Sequence, residues 1–267
     1  MEVHHPKHTP KNWKGYITEF FMLFAAISLG FLAENYREHY IETERSHELV
    51  SSLIKEVENN VSFMDSLIDK DHDFLKIYNQ IVFYVIENDE QIDLDSFYTM
   101  LPYNTMRYVS NNDIYEQMKS SGSLRYIKDT TLLHMIIAYS NMSKATEIRS
   151  SDQEMDFYYN VYTNSINKWM PSRIAAFRHS IFLKRADKEL LDDIISRQSE
   201  NFNKLQQIKK GRSFIVTGPA LTEFQKEMGP VLSRRLNNIA ATMLFMTKTR
   251  RAALDLLKYY HQHQSHS

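Results

Sequence analysis

The hydrophobic pattern of the chain is dominated by Ile17 to Ala33, ITEFFMLFAAISLGFLA. Residues 20–33 carry no charge, and only Ser28 and Gly30 are not apolar. As a helix the run measures roughly 26 Å, near the short end of what crosses the hydrocarbon core of a bilayer. Ile17, Phe20, Phe21, Leu23, Phe24, Ile27, Leu29, Phe31 and Leu32 are its membrane-facing candidates. Trp13 and Tyr16 stand where an interfacial aromatic belt belongs, and Lys14 can snorkel outward. Two other readings compete. A cleaved signal peptide would place Phe31 at position −3 of a site after Ala33, where a small residue is required. A soluble core helix fits poorly, because this run is apolar all round while the chain is polar enough for a mean hydropathy of −0.46. The pattern predicts an uncleaved transmembrane helix over 13–33, after a polar and disordered tail at 1–12.

Beyond the run, neither Gly nor Pro occurs until Pro102, so the helix is expected to continue outside the bilayer. Val50, Ile54, Val57, Val61, Met64, Ile68, Leu75, Tyr78, Val82 and Val85 alternate by four and three, broken only at Asp71. Leu53, Phe74, Ile77 and Ile81 widen this stripe beyond a coiled-coil seam, which favours packing in the chain's own bundle over pairing with a second copy. Residues 87–95 read as a polar connection, with Asp95 capping a short helix that ends near Leu101-Pro102. Asn111-Asn112 precede a helix closed by Gly122, and Asp129 opens another that runs to Pro171. A segment follows from Ser172, then an amphipathic helix over 187–210. Residues 213–219 are the one β-like passage. A last helix, broken near Gly229-Pro230, runs to about Tyr260, and 261–267 form a frayed tail. The expected fold is all-α: a transmembrane helix continuing into a helical bundle with long helices over 34–260.

Composition narrows the chemistry. The formal charge is −1, from 32 basic and 33 acidic residues, so there is no electrostatic footprint for nucleic acid. The absence of cysteine excludes disulfides, thiol catalysis and Cys-based zinc sites. Gly and Pro number only six each, too few for a strand-rich fold with tight hairpins. Lys7, Lys11 and Lys14, with the α-amino group, precede the apolar run, against Arg37 and Arg45 after it. This bias places the N-terminus in the cytoplasm and the domain outside the plasma membrane.

A short basic tail, one anchor ending in FLAENYREH and a following SLIKEVENN resemble single-pass proteins of bacteroidete bacteria. DIYEQMKSSGSLRYIKDTTLLHMIIAYSN is similar to the helix–turn–helix core of a family of unknown function among them. The matching positions are Tyr115, Ser121, Gly122, Leu124, Ile127, Asp129, Leu132 and Tyr139. The likeness covers roughly residues 13–145. It implies a membrane-anchored helical domain and carries no activity with it.

Several constellations invite chemistry. Asp69, Asp71, His72 and Asp73 are dense in oxygen ligands but lack the Gly and distal Glu of a calcium loop, and a solvated helix face or a bend explains them better. His4, His5 and His8, with His261, His263 and His266, sit on tails with no scaffold to hold a metal. His134, between Leu133 and Met135, reads as a buried core histidine. Arg234, Arg235, Lys248, Arg250, Arg251 and Lys258 form a basic strip that anionic lipid or an acidic partner would fit. There is no HExxH, Walker loop, GxSxG or GxGxxG. No catalytic residue, metal, cofactor or small-molecule substrate is expected. The functional expectation is an anchored interaction module of the cell envelope, binding an envelope protein or itself, besides the lipid bilayer. Two alternatives stay open: an extracytoplasmic sensing domain acting through a partner, and a subunit of an energy-transducing complex that uses Glu19 within the membrane.

Overall fold

The computed structural model describes residues 13–102, 107–185, 192, 200–209 and 211–264. The tail expected at 1–12, most of the helix expected over 187–210 and the last three residues lie outside them. Within the described residues the protein is all-α apart from one short ribbon. Helix α1 spans Trp13–Glu87 without a break, so the apolar run and the polar stalk are one helix, as the lack of Gly and Pro predicts. The chain divides into two compact units: the described part of Met1–Ile54 with Asp113–Leu133, and Lys55–Asn112 with the described part of His134–Ser267.

Unit 1 contains the membrane candidate and a helical turn. Helix α3 (Asp113–Ser121) buries Tyr115 and Met118. Gly122 ends it at φ 75°, ψ 10°, a left-handed conformation that glycine adopts without a Cβ penalty. A 3₁₀ turn, Ser123–Tyr126, follows. Asp129 then caps α4 (Thr130–Glu147), its Oδ1 accepting from the backbone N–H of Thr131 at 2.9 Å and of Leu132 at 3.0 Å. Ser46 of α1 is buried and donates to the Ser123 carbonyl at 3.1 Å, which satisfies that carbonyl inside the unit.

Unit 2 is a helical bundle. The second half of α1 places Tyr78, Ile81 and Val85 in a core with Phe97, Phe157, Ile166, Phe224 and Leu232, so the wide stripe is used within the chain's own bundle. Past α1, strand β1 (Gln91–Asp93) pairs antiparallel with β2 (Ile215–Thr217). The connection at 87–95 thus supplies the partner of the one β-like passage. Asp93, rather than Asp95, caps α2 (Leu94–Met100), accepting from the Asp95 N–H at 3.0 Å and the Ser96 hydroxyl at 2.7 Å. Asp95 is itself buried. After α4 the chain stays helical to Lys168, but two π-helical stretches, Ile148–Glu154 and Tyr158–Tyr162, flank the single turn α5 (Met155–Phe157) before α6 (Thr163–Lys168). Helices α7 (Ser172–Arg185) and α8 (Glu200–Gln206) follow. Helix α9 (Gly218–Gln264) is continuous and contains Pro230. The expected break at Gly229-Pro230 does not occur, because the burial of Phe224, Met228 and Leu232 holds both sides of the proline in one core. The helix also continues four residues past Tyr260, into the expected tail.

Gly122→Ala is expected to cost roughly 1–2 kcal/mol, because the added Cβ meets nothing nearer than the Arg125 guanidinium carbon at 4.0 Å and the penalty is purely that of the positive φ. Chemical denaturation of the detergent-solubilised protein reads this, and an unchanged midpoint would contradict the assigned turn.

Candidate functional site

The residues singled out by sequence separate into two kinds. The membrane-facing set, from Ile17 and Phe20 to Leu32, is exposed on every side of α1. This is the one helix, among the described residues, that is long and apolar enough to cross a membrane. The helix–turn–helix set is structural. Tyr115 is buried, Leu124, Ile127 and Leu132 are half-buried, and Gly122 and Asp129 are the turn and cap described above. Tyr139, in unit 2, is buried and its hydroxyl accepts from Asn60 Nδ2 at 3.0 Å. Asn60 also clasps the backbone of Asn111, donating to its carbonyl at 2.7 Å and accepting from its N–H at 3.1 Å.

The strongest concentration of buried charge lies in unit 2. Arg235 is 1% exposed, Glu154 3% and Asp71 6%. Arg235 Nη1 donates to Glu154 Oε1, and Thr242 donates to the other oxygen, Oε2, at 2.7 Å. The guanidinium carbon lies 5.1 Å from the ring centre of Tyr158, 5.7 Å from Tyr78 and 5.8 Å from Tyr162, so three aromatic rings surround the cation. Tyr158 and Tyr162 stack with centroids 5.3 Å apart, and the hydroxyls of Tyr78 and Tyr162 are hydrogen-bonded at 2.9 Å. Burial alone would lower the Arg235 pKa, but Tyr78 and Glu154 outweigh it and the guanidinium is held above its ordinary value. The Tyr162 phenol is pushed well up, chiefly by burial.

Asp71 is the odd member. Burial, and then the like charge of Glu154, push its carboxyl up to about 7, with Arg235 only partly offsetting them. Two carboxylates and one guanidinium therefore share a dry core, and charge balances when one carboxylate holds a proton. The cluster contains no activated nucleophile, so what it can do is store and release a proton.

The π stretches help to assemble this site. In a pure α-helix residues four apart drift by about 40° around the axis, and underwound π turns take back that drift. Thr146, Ser150, Glu154, Tyr162 and Ile166 are buried at steps of four, with half-buried Tyr158 between them. The Thr163 hydroxyl donates to the Tyr158 carbonyl at 2.7 Å, a reach of five residues that belongs to a π turn. Spacing by four was present in the sequence, but most of these residues are polar and make no hydrophobic stripe.

Several expectations are corrected. Asp69, His72 and Asp73 do face solvent, but Asp71 does not: it fills the seam position where the apolar stripe breaks. His134 is exposed rather than buried. The basic strip of the last helix is not a strip, because Arg235 is in the core and Arg250 pairs with Asp65. His261 and His263 are exposed on α9, while His4, His5, His8 and His266 lie outside the described residues. Among the described residues no group of three or more His, Asp or Glu side chains is placed to hold a metal. No family model, curated protein or solved structure matches the chain.

Two variants test the buried cluster. Folding raises the Asp71 pKa from an ordinary 3.8 to about 7, so its favourable contribution is complete below about pH 4 and is lost as pH rises through 7. The total is on the order of 4 kcal/mol. Asp71→Asn is expected to flatten this pH dependence and to be more stable than the parent at pH 8, read by urea denaturation; lower stability at pH 8 would refute the assignment. Arg235→Met leaves Glu154 without its counter-charge and is expected to cost roughly 3–5 kcal/mol, with the larger loss at high pH. Melting curves at pH 6 and 8 read both effects.

Proposed function

We propose that this protein is a single-pass component of the plasma membrane whose helical domain stands on the extracytoplasmic side and binds another envelope protein or a second copy of itself, with no chemistry of its own. One observation carries the reading. The most apolar window of α1 is 0% buried, with Phe20 at 63%, Phe21 at 61%, Met22 at 61% and Leu23 at 63% exposure on successive sides of the helix. Water would penalise such a surface at roughly 25 cal/mol per Å2, and a bilayer removes that penalty. The excess of basic residues before the run supports an N-terminus in the cytoplasm. The resemblance to anchored proteins of bacteroidete bacteria, carried by Gly122, Asp129 and their neighbours, supports the anchor. Asp71, poised near neutral pH inside unit 2, favours a second reading as a sensing domain that acts through a partner.

Reporters dependent on the periplasm and on the cytoplasm, each fused after Ser267, test the placement. Full-length protein in the membrane fraction, active only with the periplasmic reporter, is the expected result. Activity only inside would reverse the orientation, and a soluble full-length product would remove the anchor. A clean monomer with no co-purifying partner after gentle detergent extraction would overturn the interaction module.

A further inference from the structure

Unit 1 holds a cleft of about 410 Å3 on the first turns of α1 beyond the apolar run. Tyr36, His39, Tyr40, Glu44 and His47 line it from α1, and Lys128 closes it from the segment between the 3₁₀ turn and α4. The closing segment is fixed in place: Ser46 donates to the Ser123 carbonyl, and the Tyr126 ring meets His39 edge-on at 5.5 Å between centroids. Arg125 lies over the Tyr126 ring at 4.8 Å and donates to its hydroxyl at 2.9 Å, which holds that ring in place.

The position of the cleft limits what reaches it. At 1.5 Å per residue, Tyr36 stands about 4–5 Å beyond Ala33, His39 about 9 Å and Glu44 about 16 Å. The headgroup layer adds about 5–8 Å to each side of the hydrocarbon core. An apolar run of roughly 26 Å is also shorter than a core of about 30 Å, which draws the flanking residues inward. The lower half of the cleft therefore lies among headgroups when α1 is inserted.

Its walls carry both signs. Lys128 is a cation, Glu44 an anion, and the rings of Tyr36 and Tyr40 are 78% and 61% exposed at residue level. A purely anionic headgroup matches Lys128 but faces Glu44, with Glu38, Glu42 and Glu48 on the same stretch of helix. A zwitterion satisfies both walls. Its phosphate accepts from the Lys128 ammonium and from imidazole or phenol donors. Its amine pairs with Glu44, because helical side chains lean toward the helix N-terminus and so carry this carboxylate back toward the bilayer, and lies against tyrosine faces. We propose that this cleft binds the headgroup of a phospholipid carrying a phosphate and a primary amine, of the ethanolamine type. The proposal rests on the membrane-anchor reading.

Titration of the detergent-solubilised full-length protein with short-chain, soluble lipids tests it. Dihexanoyl phosphatidylethanolamine is expected to bind about tenfold more tightly than dihexanoyl phosphatidylglycerol or inorganic phosphate. Glu44→Gln should abolish that preference, and Lys128→Met should weaken both lipids about tenfold, with circular dichroism showing both variants folded. Equal affinities across headgroups, phosphate binding as tightly as lipid, or preferences unmoved by both substitutions would each overturn the cleft. The titration needs no insertion into a cell membrane. A protein found in the membrane fraction with no headgroup preference loses this proposal alone, whereas a soluble product loses the anchor and is read from the reporter fusions.

Discussion

A guanidinium that keeps its proton at any physiological pH is sealed inside unit 2, and much of that unit is arranged to answer its charge. A buried Arg235 is tolerable only with a carboxylate in contact and polarisable groups around it. Glu154 supplies the first, and three tyrosines supply the second. This requirement links three elements: α1 through Asp71 and Tyr78, the π-containing helix through Glu154, Tyr158 and Tyr162, and α9 through Arg235 and Thr242. Apolar packing alone fixes such helices loosely in rotation and register, because neighbouring ridges are interchangeable. A charged contact with one geometry removes that freedom, as buried polar positions do in other helical assemblies.

The part of this visible in the sequence was the interruption itself. The apolar stripe of α1 is regular on both sides of Asp71, and by sequence the aspartate at that seam position reads as part of a solvated face or a bend. Local pattern favoured that, because Asp69, His72 and Asp73 make the neighbourhood look solvated. Asp71 is instead buried, and its partners could not be located by spacing: Glu154 and Arg235 are 81 residues apart and neither carries a local signal. Arg235 even looked like part of an exposed basic strip. The helices, the Gly122 turn and the Asp129 cap were legible because each depends on residues within a few positions. The π turns were not, since underwinding changes which residues share a face without changing which residues favour a helix. Pro230 misled in the opposite direction, as tertiary packing on both sides of it outweighs the lost hydrogen bond.

Unit 1 follows a different logic. Its turn is closed locally and tied back to α1 by Ser46 and His39, and it carries exposed apolar surface that unit 2 does not approach in extent. The turn at 122–129 is determined by backbone requirements: one residue in the left-handed region, one side chain that reaches two orphan amides, one buried serine that satisfies a carbonyl. A turn of this kind settles how a hairpin is closed, and puts no demand on the surface beside it.

The continuity of α1 has a consequence for how the protein is made. The helix that carries the apolar run is the same helix that supplies Tyr78, Ile81 and Val85 to the core of unit 2, and these leave the ribosome long before Phe224, Leu232 and Arg235. At about 5–20 residues per second, on the order of ten seconds separate the appearance of Asp71 from that of its cationic neighbour. Through that interval the stalk is a tethered amphipathic surface with a carboxylate in its seam and nothing against it. A solvated, ionised aspartate opposes closure of that seam on an apolar partner, and its burial in the finished bundle goes with uptake of a proton, as its carboxyl is pushed up to about 7.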